Sequence, residues 1–107
     1  MSKDDYVLYC PKCNGEKRPD WVIGTRSYSA QRLDVPYFAC GGCRLICIDR
    51  TVLRQAISSW RRDGLVSKNT PSHKQLYKEM LDVVNKVVDM YCQTAGYKRC
   101  RFRKANS

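Results

Sequence analysis

Cys10-Pro11-Lys12-Cys13 and Cys40-Gly41-Gly42-Cys43 are the stretches on which the fold turns: two C-x-x-C pairs with 26 residues between them. Thiolates spaced by two residues around a tight turn can both reach one ion, at about 2.3 Å each, and two such pairs complete a tetrahedron. Pro11, Asn14-Gly15 and Gly41-Gly42 are residue types that let such turns close and leave amides free to face sulfur. Four thiolates favour Zn²⁺ over Mg²⁺ or Ca²⁺, which take oxygen ligands. Iron held by four cysteines fits the same ligand set. A redox C-x-x-C belongs at the start of a helix in a βαβ setting, and neither pair opens an apolar helix. Cys10, Cys13, Cys40 and Cys43 are therefore expected to hold one structural Zn²⁺. Four protein ligands leave no open position, so such a metal shapes the chain and activates no water.

The composition agrees with a reduced, metal-bound protein. Seven cysteines in 107 residues are an odd count for a disulfide framework. The opening Met1-Ser-Lys-Asp-Asp lacks the charged-then-apolar layout of a signal peptide. A cytoplasmic or nucleoid-associated location, in a reducing compartment, follows as the expectation. The longest apolar run falls far short of the roughly 20 residues a membrane span needs. Hydrophobic residues form 43% of the chain, too many for a disordered basic tail. A single His and no phosphate-cradling glycine loop leave no machinery for a reaction. The reading is of a protein that is not an enzyme and has no small-molecule substrate.

Around the cysteine pairs, Tyr6-Val-Leu-Tyr9, Trp21-Val-Ile23, Arg26-Ser-Tyr-Ser29, Pro36-Tyr-Phe-Ala39 and Leu45-Ile-Cys-Ile48 are short β-forming runs. Turn chemistry at Asn14-Gly15, Pro19-Asp20 and Gly41-Gly42 separates them. Val52, Leu53, Ala56, Ile57 and Trp60 then recur at helical spacing over 50–63, with Asp49 or Thr51 as cap and Gly64 as stop. After a connector, Thr70-Pro71 reads as the cap and first residue of a helix running to about Ala95. Leu76, Tyr77, Met80, Leu81, Val83, Val84, Val87, Val88 and Tyr91 fill about half its circumference. The expected units are 1–49, 50–64, 65–97 and a basic tail at 98–107.

Two knuckles on hairpins resemble a zinc ribbon over residues 6–49. A narrower resemblance is to the Ogr/Delta zinc-finger activators of phage late transcription. It is carried by Cys10-Pro-Lys-Cys13, Arg26-Ser-Tyr28, Tyr37-Phe-Ala-Cys40 and the strand and helix from Leu45 to Ile57. The chain departs from that pattern in a wider cysteine gap, a tighter second knuckle and a long C-terminal helix. The ribbon resemblance and the helical spacings together give the expected α+β fold: a small ribbon of three to four antiparallel strands around a four-cysteine zinc, then two α-helices, the second long and amphipathic. The Ogr/Delta resemblance implies a DNA-binding transcription regulator of viral or phage type.

The formal charge of +10 points to a polyanionic partner on its own account. Arg26 and Arg32 lie between the knuckles, Arg50, Arg54 and Arg61 fall on one face of the first helix, and Lys98, Arg99, Arg101, Arg103 and Lys104 crowd the tail. These residues are the expected nucleic-acid contacts, with Tyr28 and Phe102 placed to stack on bases. Duplex DNA is favoured over RNA; a structural ribonucleoprotein component is the alternative. The long helix has an apolar arc wider than one ribbon needs. Leu76, Met80, Val83, Val84, Val87 and Tyr91 are accordingly expected at an interface with a second copy or with RNA polymerase, the remaining alternative being a plain internal core.

Overall fold

Among the described residues four of the short β-forming runs become strands, and Glu16–Lys17, which lies in none of the runs, adds a fifth before the first helix: β1 (Leu8–Tyr9), β2 (Glu16–Lys17), β3 (Asp20–Ile23), β4 (Asp34–Cys40) and β5 (Leu45–Cys47). Two helices follow, α1 (Arg50–Arg62) and α2 (His73–Thr94), and then two more short strands, β6 (Lys98–Arg99) and β7 (Arg103–Lys104). The structure is a computed structural model and describes residues 6–24, 33–64, 66 and 72–104. The Arg26-Ser-Tyr-Ser29 run and the Thr70-Pro71 cap lie outside the described residues. Within them, α2 is capped by Ser72, whose hydroxyl accepts from the Gln75 amide.

β4 is the spine. It pairs with β3 along four residues and with β5 along three, both antiparallel. Its β-branched and aromatic residues suit a strand covered on both faces, where alternation sends successive side chains to opposite sides. Val35 and Tyr37 face one core with Leu33, Ile46, α1 and α2. Phe38 and Cys40 face a second core with Tyr6, Leu8, Cys10, Cys47 and Phe102. The paired cysteines thus belong to one core, and α2 with most of the buried face of α1 to the other; β4 lies between, and Val52 of α1 reaches the cysteine side.

α1 forms as its sequence dictates. The Asp49 carboxylate accepts from the Val52 amide at 2.9 Å, satisfying a donor that the helix start leaves open. Val52, Leu53, Ala56, Ile57 and Trp60 are all buried, and Arg61 and Arg62 close the last turn near the negative end of the helix dipole. Gly64 and Gly96, at φ +72° and +71°, follow the two helices in the left-handed conformation that glycine adopts without strain. In α2, Leu76, Met80, Val84 and Val88 make one buried line at four-residue spacing.

The C-terminal residues depart from the expected free tail. β6 lies parallel to β5, with Lys98 N–H donating to Arg44 O at 2.8 Å and Cys100 N–H to Ile46 O at 3.0 Å. β7 pairs antiparallel with β1, making a three-stranded sheet of order β2-β1-β7 beside the four-stranded β3-β4-β5-β6. Between these two strands Phe102 is 2% exposed. Its ring is therefore part of the core and not a stacking platform for bases, because the alternative would leave a large apolar side chain in water.

Candidate metal centre and basic surface

Each C-x-x-C pair sits in the turn of a hairpin, β1–β2 for the first and β4–β5 for the second. In the first, Asn14 N–H donates to Cys10 O at 2.9 Å and Cys10 N–H to Gly15 O at 3.0 Å. The residue after the second cysteine is left-handed in both turns, Asn14 at φ +60° and Arg44 at φ +57°. The unusual backbone therefore falls on Asn14 and Arg44 and not on Gly15, Gly41 or Gly42. Asparagine tolerates that region; arginine does so only at a cost of about 1–2 kcal/mol. Arg44 is held there from three sides: its carbonyl accepts from Lys98, its Nη1 donates to Ala95 O at 3.2 Å, and its guanidinium lies 5.6 Å from the Tyr97 ring centroid.

The Sγ atoms of Cys10, Cys13, Cys40 and Cys43 all lie within 4.8 Å of one another. Cys13 and Cys40 sulfurs are 3.8 Å apart. A tetrahedron with metal–sulfur bonds of about 2.3 Å has edges of about 3.8 Å, whereas a disulfide needs about 2.05 Å. All seven cysteines are free thiols. The four sulfurs therefore fit a single metal ion.

Their electrostatics agree. The Cys43 amide, outweighing burial, pulls the Cys40 thiol down to about 6. Burial, with sulfur contacts to Cys13, Cys10 and Cys40, pushes the Cys43 thiol up to about 12. Burial acts to raise Cys10 as well, but the Cys13 and Lys12 amides of the turn bring it below its usual range. Four sulfurs this close cannot all ionise without a cation among them. Lys17, missed by sequence reasoning, is a nearby source of positive charge: its Nζ and the Cys13 Sγ both flank Gly15. Arg44 turns instead to Ala95 and Tyr97, so it does not face the sulfurs as its position in the sequence suggests.

Of the remaining cysteines, Cys47 is buried, and burial pushes its thiol up. Cys92 packs half-buried against the helical core, and Cys100 is half-buried behind β6.

The basic residues divide by partner. Arg26 and Arg32 lie outside the described residues. Arg50, Arg54 and Arg61 are exposed along α1, with the Arg54 guanidinium 5.1 Å from the Tyr77 ring centroid. Lys98, Arg101, Arg103 and Lys104 are exposed. Arg99 is committed internally, Nη2 to Asp89 Oδ1 at 2.6 Å and Nη1 to Asn85 Oδ1 at 3.1 Å, and so ties β6 to α2. Arg50 and, from a segment distant in sequence, Arg101, Arg103 and Lys104 line one cleft.

The expected helix interface is largely used up inside the molecule. Leu76, Met80 and Val84 are fully buried against β4 and α1, so they have no surface to offer a partner. Tyr91 packs on that core and accepts from the Tyr37 hydroxyl at 3.3 Å. Val83 and Val87 stay half-buried, beside Met90 at 55% exposure. Among the described residues, no helix is long and apolar enough to cross a membrane. No protein family, curated protein or solved structure compared with the chain matches it.

Proposed function

We propose that the four cysteines hold one structural Zn²⁺ in a zinc ribbon, and that the chain is a nucleic-acid-binding protein acting in transcription, with duplex DNA as the favoured target. The observation that carries the reading is the meeting of Arg50, at the start of α1, with Arg101, Arg103 and Lys104 of the C-terminal segment on one exposed cleft. Cations that repel one another are unfavourable to collect unless an anion spreads over them. Arg54 and Arg61 extend the same charge along α1. Two hairpin-borne knuckles support the ribbon layout. The three thiols outside the metal cluster, Cys47, Cys92 and Cys100, are unpaired and suit a reducing compartment. A metal closed by four thiolates has no position for substrate, so the protein binds and does not catalyse. A protein-docking role through α2 is the weaker reading, because Leu76, Met80 and Val84 are committed to the core.

The test is fluorescence anisotropy of the zinc-loaded protein with duplex DNA and with structured RNA across a salt series. Tight duplex binding is expected, with affinity falling steeply as salt rises and the slope reduced by about 1 for each of Arg50 and Arg54 changed to Gln. A preference for structured RNA would move the protein to the ribonucleoprotein alternative. Weak binding to both, with no salt slope, would overturn the reading.

A further inference from the structure

A cleft of about 840 Å³ opens between the start of α1, the middle of α2 and residues 99–104. Its rim is cationic. Arg50, Arg101 and Arg103 line it, all exposed, and none of the three is in an ion pair among the described residues. Among the described residues Asp49 is the one carboxylate lining it, and that side chain already caps α1. Its floor is apolar: Ile48 and Leu81 are half-buried, over Ile46 and Phe102 from the core.

We propose that this cleft takes one unpaired nucleotide of a nucleic-acid strand, its phosphate among the three guanidiniums and its base against Ile48 and Leu81. This rests on the nucleic-acid reading above and deepens it. Guanidinium groups bind phosphate through paired donors, so three with no carboxylate partner among the described residues are suited to an anion with several acceptor oxygens. An inorganic anion would leave most of 840 Å³ to water and the apolar floor without a partner. An acidic peptide would satisfy the rim and not the floor. A nucleotide supplies both, a phosphate and a flat face that packs on aliphatic side chains. A strand is favoured over a free nucleotide because Arg54 and Arg61 continue the charge along α1 from Arg50, where further phosphates would lie.

The test reads Cys100, whose residue lines the cleft, by its rate of alkylation with iodoacetamide in peptide mass spectra of the zinc-loaded full chain. Anisotropy of each labelled probe is followed in parallel. The probes are a single-stranded thymidine hexanucleotide, a blunt duplex, thymidine monophosphate and a hexaglutamate peptide. The single strand at saturation should slow Cys100 alkylation several-fold, while the duplex, whose phosphates meet the same guanidiniums but whose bases stay stacked, should slow it clearly less; equal protection by the duplex would overturn an unpaired nucleotide as occupant. R101Q/R103Q should retain its metal and melting temperature, weaken single-strand binding and lower its salt slope by about 2. Monophosphate protecting as well as the strand at equal concentration would overturn the strand as occupant. Protection by hexaglutamate equal to that by the strand, or none where anisotropy saturates, would overturn the site itself. Nucleic-acid anisotropy lost altogether while monophosphate still protects Cys100 would remove the nucleic-acid reading and leave the cleft a free-nucleotide site.

Discussion

Replacing Phe102 by Ala should disable the metal centre from a position that touches no metal. Phe102 is 2% exposed and packs in one cluster with Cys10, Cys40, Leu8, Phe38 and Val52. An aromatic ring buries about 150–250 Å², which at about 25 cal/mol per Å² sets an upper bound of roughly 4–6 kcal/mol. The alanine methyl and a compact unfolded state reduce that, while the cavity left behind adds to it, and about 3–5 kcal/mol is the measured range for such changes. Metal binding and folding are one equilibrium in a domain this small, so the loss appears as weaker metal affinity. At about 1.4 kcal/mol per factor of ten, the apparent zinc affinity should fall by about two to four orders of magnitude. Competition with a chromogenic chelator measures it, and urea denaturation of the zinc form gives the stability loss independently. Arg103→Ala, a neighbouring exposed change, is the control and should leave both within about 0.5 kcal/mol. Wild-type affinity and midpoint in Phe102→Ala would refute the reasoning, since residues 98–104 would then not be docked on the cysteine core.

Arg44→Asn should hold stability within about 1 kcal/mol, because asparagine accepts the left-handed backbone, whereas Arg44→Val should cost about 2 kcal/mol or more by urea denaturation; equal effects would remove the left-handed assignment. Elemental analysis should find one metal per chain, retained when Cys47, Cys92 or Cys100 becomes Ser and lost when any of the four clustered cysteines does. At pH 7 Cys40, with its thiol at about 6, is already ionised, and Cys43, at about 12, still carries its proton. Metal uptake should therefore release fewer than four protons, counted by calorimetry in buffers of different ionisation enthalpy, and the apparent metal affinity should fall more steeply with falling pH below about 6, where Cys40 too must give up a proton to bind. Asp49→Ala should lower stability by about 1 kcal/mol in thermal unfolding through loss of the α1 cap.

The parts of the fold that are local in sequence were legible there. Val52, Leu53, Ala56, Ile57 and Trp60 announce α1 by spacing, and Asp49 supplies its cap. The four clustered cysteines announce themselves by the same kind of short-range rule. Residues 98–104 did not, because five cations in seven residues outweigh everything else in a composition-based reading. A strand signal was nevertheless present: Cys100 and Phe102 alternate with Arg99, Arg101 and Arg103, the two-residue period of a half-buried strand. What no local pattern reveals is the choice of partner, β5 for one segment and β1 for the next. The width of the apolar arc on α2 misled for a related reason. It reflects a helix lying on both α1 and β4 of its own chain, so Leu76, Met80 and Val84 needed no second molecule.

The pairing of β1 with β7 also sets an order of events during synthesis. Leu8 and Tyr9 leave the ribosome long before the strand beside them, which is made only after both helices. The first knuckle thus waits through the synthesis of α1 and α2 with one flank bare, and contacts between such distant residues close slowly. The cysteine pairs can meet an ion as soon as Cys43 has emerged, but the wall behind them is finished only when Phe102 arrives. A nascent chain stalled before Phe102 would carry a loaded but leaky centre, open to chelators and thiol oxidants that the released protein resists.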